Sequence, residues 1–96
     1  MTTISYFQPV LSKEIWFYIE SHFLGAKGVA ERCGITIKAE RLRKKLTALK
    51  LTQSIDIGVT ALKKYEEGDG RVSTYALMQI VCALGYNGVS IQCLDN

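Results

Sequence analysis

The stretch KKYEEGDGRVSTYALMQIVCALGY, residues 63–86, decides the fold. It joins a lysine-bearing segment that ends at Gly68 to a strongly apolar segment that begins after Ser73. The Asp69-Gly70 pair favours a turn between them, and serine is a good helix N-cap. Apolar residues then recur at helical spacing as far as Gly85: Leu77, Ile80, Val81 and Leu84. The stretch therefore predicts the end of one helix, a turn, and a second helix packed behind the first.

Length and composition narrow the class of protein. With 96 residues, the chain can bury one core but not two, so residues 1–96 are expected to form a single domain. No apolar run approaches the roughly 20 residues that span a bilayer, and no signal-peptide layout is present. We therefore expect a cytoplasmic, nucleoid-associated protein with no membrane partner.

Catalytic and metal-binding patterns are not evident in the sequence. The three cysteines form no C-x-x-C pair, and the single histidine, His22, stands in an aromatic-rich segment. No nucleophile and base set, phosphate loop or paired carboxylates can be recognised. The sequence predicts a protein that is not an enzyme, with no cofactor, no metal and no small-molecule substrate.

Positive charge is concentrated in the middle of the chain. Residues 27–64 contain ten basic and three acidic residues, a net charge of +7, whereas the whole chain carries only +3. A basic centre between mildly acidic ends suits a surface that faces a polyanion. A solvated helix face gives the same pattern, so charge alone leaves both interpretations open.

The remaining segments predict a helical core with extended ends. Residues 1–11 are expected to form an arm or strand, residues 12–86 a helical core, and residues 87–96 a tail strand that pairs with residues 4–7 or with a second copy. Within the core, Ser12 is expected to cap a helix that ends at Gly25. Its apolar residues are Ile15, Trp16, Ile19 and Phe23. A basic helix further on is expected to turn four apolar residues inward: Ala39, Leu42, Leu46 and Leu49.

Two segments are candidates for a helix-turn-helix, in which the second helix enters the major groove of DNA. In residues 26–45, Gly34 is expected to form the corner, Ile35 to plug it, and Thr36 to cap the second helix. In residues 48–67, apolar residues fill every inward position, but Asp56 occupies the corner where glycine is usual. The second unit is the more complete, and the sequence leaves the choice between them open.

Each unit implies a set of DNA contacts. For residues 48–67, six residues at the start and outer face of the second helix are expected to contact bases: Gly58, Val59, Thr60, Ala61, Lys63 and Lys64. Six others suit phosphates: Arg41, Arg43, Lys44, Lys45, Lys50 and Gln53. If residues 26–45 form the contacting unit instead, its contacts are Lys27, Thr36 and Lys38.

The motifs in residues 39–86 resemble a known family. GVTALKKYEEGDGRVSTYALMQIVCALGY is similar to the second half of lambda-repressor-like (Xre/Cro-type) DNA-binding domains, with their Tyr-Glu-x-Gly and Ala-Leu-Gly motifs. AERLRKKLTALKLTQ resembles the first helix of that family. If Leu51-Thr52-Gln53 opens the first motif helix of the family, the segment up to Val59 is about five residues too short for the usual helix and turn. Aligned without gaps from Tyr65, that helix instead begins near Thr47, and Ala48 replaces the usual glutamine, so the sequence leaves two starts open. LGAKGVAERCGI resembles the first half of the helix-turn-helix in phage lysogeny activators.

These observations and the resemblance lead to one expectation and one alternative. We expect a mainly α domain of about five helices with short terminal strands, which acts as a sequence-specific transcriptional regulator of bacterial or phage type on double-stranded DNA. A homodimer is expected because one recognition helix buries too little surface for tight specific binding. The alternative is a protein-interaction module, such as an antitoxin or anti-repressor, that keeps the fold.

Overall fold

The structure, a computed structural model, describes residues 13–21, 25–69 and 73–94. Its elements in chain order are β1 (Glu14–Glu20), α1 (Ala26–Arg43), α2 (Ala48–Thr52), α3 (Val59–Glu66), α4 (Thr74–Ala83) and β2 (Gly88–Leu94). The expectation of a mainly helical domain with strands near both ends is confirmed. The described ranges contain four helices, one fewer than expected. None of these four is long and apolar enough to cross a membrane.

Residues 14–20 form a strand, so the predicted helix from Ser12 to Gly25 is wrong across this segment. Burial alternates along it with the two-residue period of a strand. Three side chains enter the core, namely Ile15, Phe17 and Ile19, and each is at most 2% exposed. The alternation and the β-branched and aromatic composition outweigh the weaker helical spacing. Ser12 and Phe23 lie outside the described residues.

The tail strand is confirmed as β2, and its partner is β1. The two strands run parallel, in a register that pairs Glu14 with Gly88 and Glu20 with Leu94. Parallel strands need a long crossover, and all four helices lie within this one. The expected partner at residues 4–7 lies outside the described residues. The sheet thus brings the two ends of the described chain together beside the helices.

Helix α1 runs without a break through Gly34, so the predicted turn there is wrong. A Cβ atom at this position would stand 2.3 Å from the carbonyl oxygen of Tyr65, so the glycine permits α1 to approach α3 closely. Thr36 does not cap a helix; its hydroxyl donates to the carbonyl oxygen of Arg32 at 3.0 Å. Residues 26–45 therefore contain one long helix rather than a helix-turn-helix.

The inward face of α1 also differs from the predicted one. Of the four apolar residues expected inside, Ala39 and Leu42 of α1 and Leu49 of α2 are exposed, and only Leu46, between the two helices, packs against the core. Ile35, expected to plug a corner, is 56% exposed. The buried side chains of α1 are instead Cys33, Ile37 and Arg41, spaced four residues apart. Helix α1 therefore turns an arginine towards the core and leaves an apolar stripe outside.

Helix α4 agrees with the sequence at both ends. The hydroxyl of Ser73 accepts a hydrogen bond from the amide of Ala76 at 3.1 Å, as expected of an N-cap. The chain leaves the helix at Gly85, where φ is +96°, and the amide of Tyr86 returns to the carbonyl oxygen of Val81 at 3.1 Å. Two α4 side chains, Ile80 and Val81, are fully buried. Helix α4 thus packs against the core through these two side chains.

Candidate nucleic-acid interface

Helices α2 and α3 and the turn between them, residues 53–58, match the second predicted unit. Helix α2 is capped by Thr47, whose hydroxyl accepts from the amide of Lys50 at 3.0 Å. This confirms the helix start predicted near Thr47. The turn is attached to α4, because the amide of Asp56 donates to the side-chain oxygen of Gln79 at 2.9 Å. Helix α3 then begins after Gly58.

One side of α3 is fixed in the core and the other is exposed. The buried side consists of Leu62, Tyr65 and Glu66. The exposed side contains four of the predicted base-contacting residues: Thr60, Ala61, Lys63 and Lys64. Since residues four apart share a helix face, Thr60 and Lys64 lie at its centre, flanked by the other two. This face combines a hydroxyl, a methyl group and two cations.

The other two predicted base-contacting residues have different positions. Gly58 is exposed as the N-cap residue of α3, and no neighbouring atom lies within 4 Å of the place its Cβ would occupy. Val59 is half-buried and packs against the core. Its side chain therefore stabilises the start of α3, and the expectation that it points outward is wrong.

Arg41 is buried, so its predicted role as a phosphate contact is wrong. Its guanidinium group forms a bidentate ion pair with the Glu66 carboxylate, with Nε to Oε2 at 2.7 Å and Nη2 to Oε1 at 3.1 Å. The two side chains are only 9% and 3% exposed. The Glu66 hydrogen bonds raise the pKa of Arg41, which stays charged. Its Nη1 also donates to the carbonyl oxygen of Leu46 at 2.9 Å. Arg41 thus joins α1, α3 and the loop before α2.

Arg43 and Lys44, two further predicted phosphate contacts, are exposed but already have partners in the protein. Arg43 donates to the Glu40 carboxylate at 2.7 and 3.2 Å, and to the Tyr86 hydroxyl at 3.3 Å. The Arg43 hydrogen bonds lower the pKa of Glu40. The Lys44 ammonium lies 4.5 Å from the centre of the Tyr86 ring. These contacts hold two cations on the surface next to the end of α4.

The other predicted phosphate contacts, Lys45, Lys50 and Gln53, are all exposed. From the alternative set, Lys27 and Lys38 are exposed, whereas Thr36 is half-buried. Lys38 lines one depression together with Lys63 of α3. Lys38 of the alternative contact set therefore lies beside Lys63 of the preferred set. The helix-turn-helix that was expected to present the alternative set, residues 26–45, does not form.

A second contact between α1 and α3 involves Cys33 and Tyr65, two buried side chains that interact with each other. Burial raises the pKa of the Cys33 thiol and also that of the Tyr65 hydroxyl, so both groups stay protonated at neutral pH. Together with the close approach at Gly34, this contact sets the distance between the two helices.

Sequence reasoning missed the ion pair that positions α3. A signal for it exists, because Arg41 continues the four-residue spacing of Cys33 and Ile37, and an arginine on an apolar face requires a buried acid. Glu66, which follows the buried Tyr65 on α3, is that acid. Glu66 therefore has a structural role, which is to hold α3 against α1.

The chain matches no protein-family model, and comparison with curated proteins and with solved structures gives no match. The resemblance of residues 39–86 to lambda-repressor-like domains therefore stays a prediction.

Proposed function

We propose that the protein is a sequence-specific DNA-binding transcriptional regulator in which α3 is the recognition helix. The observation that carries this proposal is the division of α3 into two sides. Leu62, Tyr65 and Glu66 fix it to the core, while Thr60 and Lys64 occupy the centre of its free face. A helix of eight residues is not stable alone in water, so only such anchoring can present its outer face to a major groove.

The chemistry of the free face suits base edges. A hydroxyl donates to or accepts from either kind of base, a methyl group contacts the thymine methyl, and a lysine ammonium donates to guanine O6 and N7. Thr60, Ala61 and Lys64 supply these three groups within one turn and a half of helix. Lys63 and Lys38 line one depression at the edge of the face, where they place two cations beside the exposed Glu67.

The test begins with selection of bound fragments from random DNA, which supplies a preferred duplex. Affinities for this duplex and for a scrambled one are then measured by fluorescence anisotropy for wild type, Thr60→Ala and Lys64→Ala. Each variant is expected to lose discrimination by about 1–3 kcal/mol, the usual contribution of a base contact. Affinity for both duplexes is expected to fall steeply as salt rises, because phosphate contacts release counterions.

Lys27→Ala is the matched control. Lys27 is also exposed and carries the same charge, but it lies in the first turn of α1. Its replacement is expected to leave discrimination between the two duplexes unchanged. If Lys64→Ala discriminated between the two duplexes as well as wild type does, α3 would not be the recognition helix. Failure to enrich any duplex at low salt, with the protein folded, would refute DNA binding itself.

One observation favours a second function, a protein-interaction module such as an antitoxin or anti-repressor. Trp16 and Tyr18 stack on the outer face of β1, with ring centres 6.2 Å apart, and both are exposed. They line one depression together with Ile35 and Ala39 of α1. Exposed aromatic and aliphatic side chains of this kind are typical of protein-binding sites. Binding to a protein through them is expected to respond weakly to salt, unlike binding to DNA.

A further inference from the structure

The last 22 residues of the described chain carry no charge. Residues 73–94, which form α4 and β2, contain no aspartate, glutamate, lysine, arginine or histidine. Large apolar side chains are nevertheless exposed on both elements: Tyr75 at 69% and Met78 at 37% on α4, and Ile91 and Leu94 on β2. Cys82, one turn further along α4, is exposed as well. Protein interfaces are depleted of charge at their centres and enriched in tyrosine and methionine, and this surface has that composition.

A depression of about 570 Å³ lies beside these side chains. One wall is formed by α4 and the other by the turn after α2. Its lining residues are Ser54, Ile55, Asp56, Tyr75, Met78, Gln79, Cys82 and Ala83. The hydrogen bond from the Asp56 amide to Gln79 joins the two walls. Its volume is within the range of small-ligand sites in proteins.

The properties of this α4 surface fit a second copy of the same chain. A twofold interface brings the same patch of both copies together, so like charges on it would repel; the α4 part of this patch carries none, and its one charged lining residue is Asp56 in the turn after α2. The protruding Tyr75 stands at the edge of a depression that can receive the Tyr75 of a partner. The exposed Asp56 carboxylate in that depression is an acceptor for the phenol hydroxyl. DNA is a poor occupant, because the lining contains no cation and one acid.

We propose that the protein forms a twofold symmetric dimer through the α4 surface, with Tyr75 of each copy inserted into the depression of the other. None of the exposed α3 residues lines this depression. The dimer itself does not depend on DNA binding. One consequence of the dimer rests on the proposed function, namely that a single particle carries two recognition helices.

Sedimentation equilibrium of the full chain, without DNA and with a reductant to prevent disulfides through exposed cysteines, tests the dimer. Wild type is expected to dimerise, and Tyr75→Ala to weaken the dimer by at least about tenfold. Met78→Lys is expected to be a monomer, since it places like charges on both sides. Tyr75→Phe is expected to lie between wild type and Tyr75→Ala, because it keeps the ring and loses the hydroxyl. Circular dichroism checks that these exposed substitutions leave the helices intact.

Trp16→Ala and Tyr18→Ala are the controls, because they truncate exposed aromatic residues on β1 instead. Both are expected to dimerise as wild type does. A wild-type monomer at every concentration would overturn the proposal, and so would a dimer that Trp16→Ala disrupts and Tyr75→Ala does not. A dimer that Tyr75→Ala disrupts, in a protein that selects no DNA, would refute the proposed function and leave this inference standing.

Discussion

Replacing Glu66 with glutamine tests whether the ion pair to Arg41 positions the recognition helix. The substitution keeps the shape of the side chain and removes its charge, which leaves the Arg41 guanidinium buried without a counterion. The two side chains are 9% and 3% exposed and share hydrogen bonds of 2.7 and 3.1 Å. Breaking one partner of such a pair costs about 3–5 kcal/mol of the free energy of unfolding. In a urea titration, the midpoint is expected to fall by more than about 1 M.

Two further variants make this experiment decisive. Arg43→Gln breaks an ion pair of the same type, but the Arg43 side chain is 64% exposed, so the midpoint is expected to stay near that of wild type. The double variant Arg41→Met, Glu66→Leu removes both charges and is expected to recover most of the stability lost by Glu66→Gln. If Glu66→Gln had the same urea midpoint as Arg43→Gln, water would reach the ion pair between Arg41 and Glu66. That result would refute the claim that this pair is buried and stabilises the position of α3.

Two other predictions concern the contact between α1 and α3. Gly34→Ala is expected to lower the free energy of unfolding by about 1–3 kcal/mol in the same titration, since the new Cβ would stand 2.3 Å from the carbonyl oxygen of Tyr65. Helix propensity alone predicts a gain of about 1 kcal/mol, so a stabilised variant would contradict the close packing. Cys33 is expected to react with iodoacetamide far more slowly than the exposed Cys82 between neutral and mildly alkaline pH, because burial covers its thiol and raises its pKa. Mass spectrometry of the labelled peptides measures both rates, and equal rates would contradict the burial of Cys33.

The sequence predicted best where local signals agree with one another. The cap at Ser73, the apolar spacing of α4 and the glycine after it all indicate the same helix, and the structure contains it. In β1, the alternation of Ile15, Phe17 and Ile19 competes with a helical spacing that includes Trp16. A two-residue period with β-branched and aromatic residues indicates a strand, and burial follows that period.

Prediction failed where a residue acts through a distant contact. Gly34 has the local signature of a turn, but its function is to admit the backbone of α3, which lies about thirty residues further along the chain. Arg41 has the signature of a surface cation, but its partner is Glu66. The spacing of Arg41 after Cys33 and Ile37 indicates that the arginine is buried, but composition and spacing within α1 do not identify a partner so far along the chain. The exposed face of α3 makes no distant contact of this kind, and helical spacing alone is enough to identify it. Four of its residues were therefore predicted correctly as exposed: Thr60, Ala61, Lys63 and Lys64.

The contacts between α1 and α3 also explain how a very short α2 is tolerated. Helix α2 has five residues, of which Ala48, Leu51 and Thr52 are buried. A helix of this length has little stability of its own. The fixed position of α3 then depends on α1, through the close approach at Gly34 and the bidentate ion pair of Arg41. If α3 is the recognition helix, substitutions at these α1 positions are expected to change DNA discrimination as well as stability, although neither residue needs to touch a base.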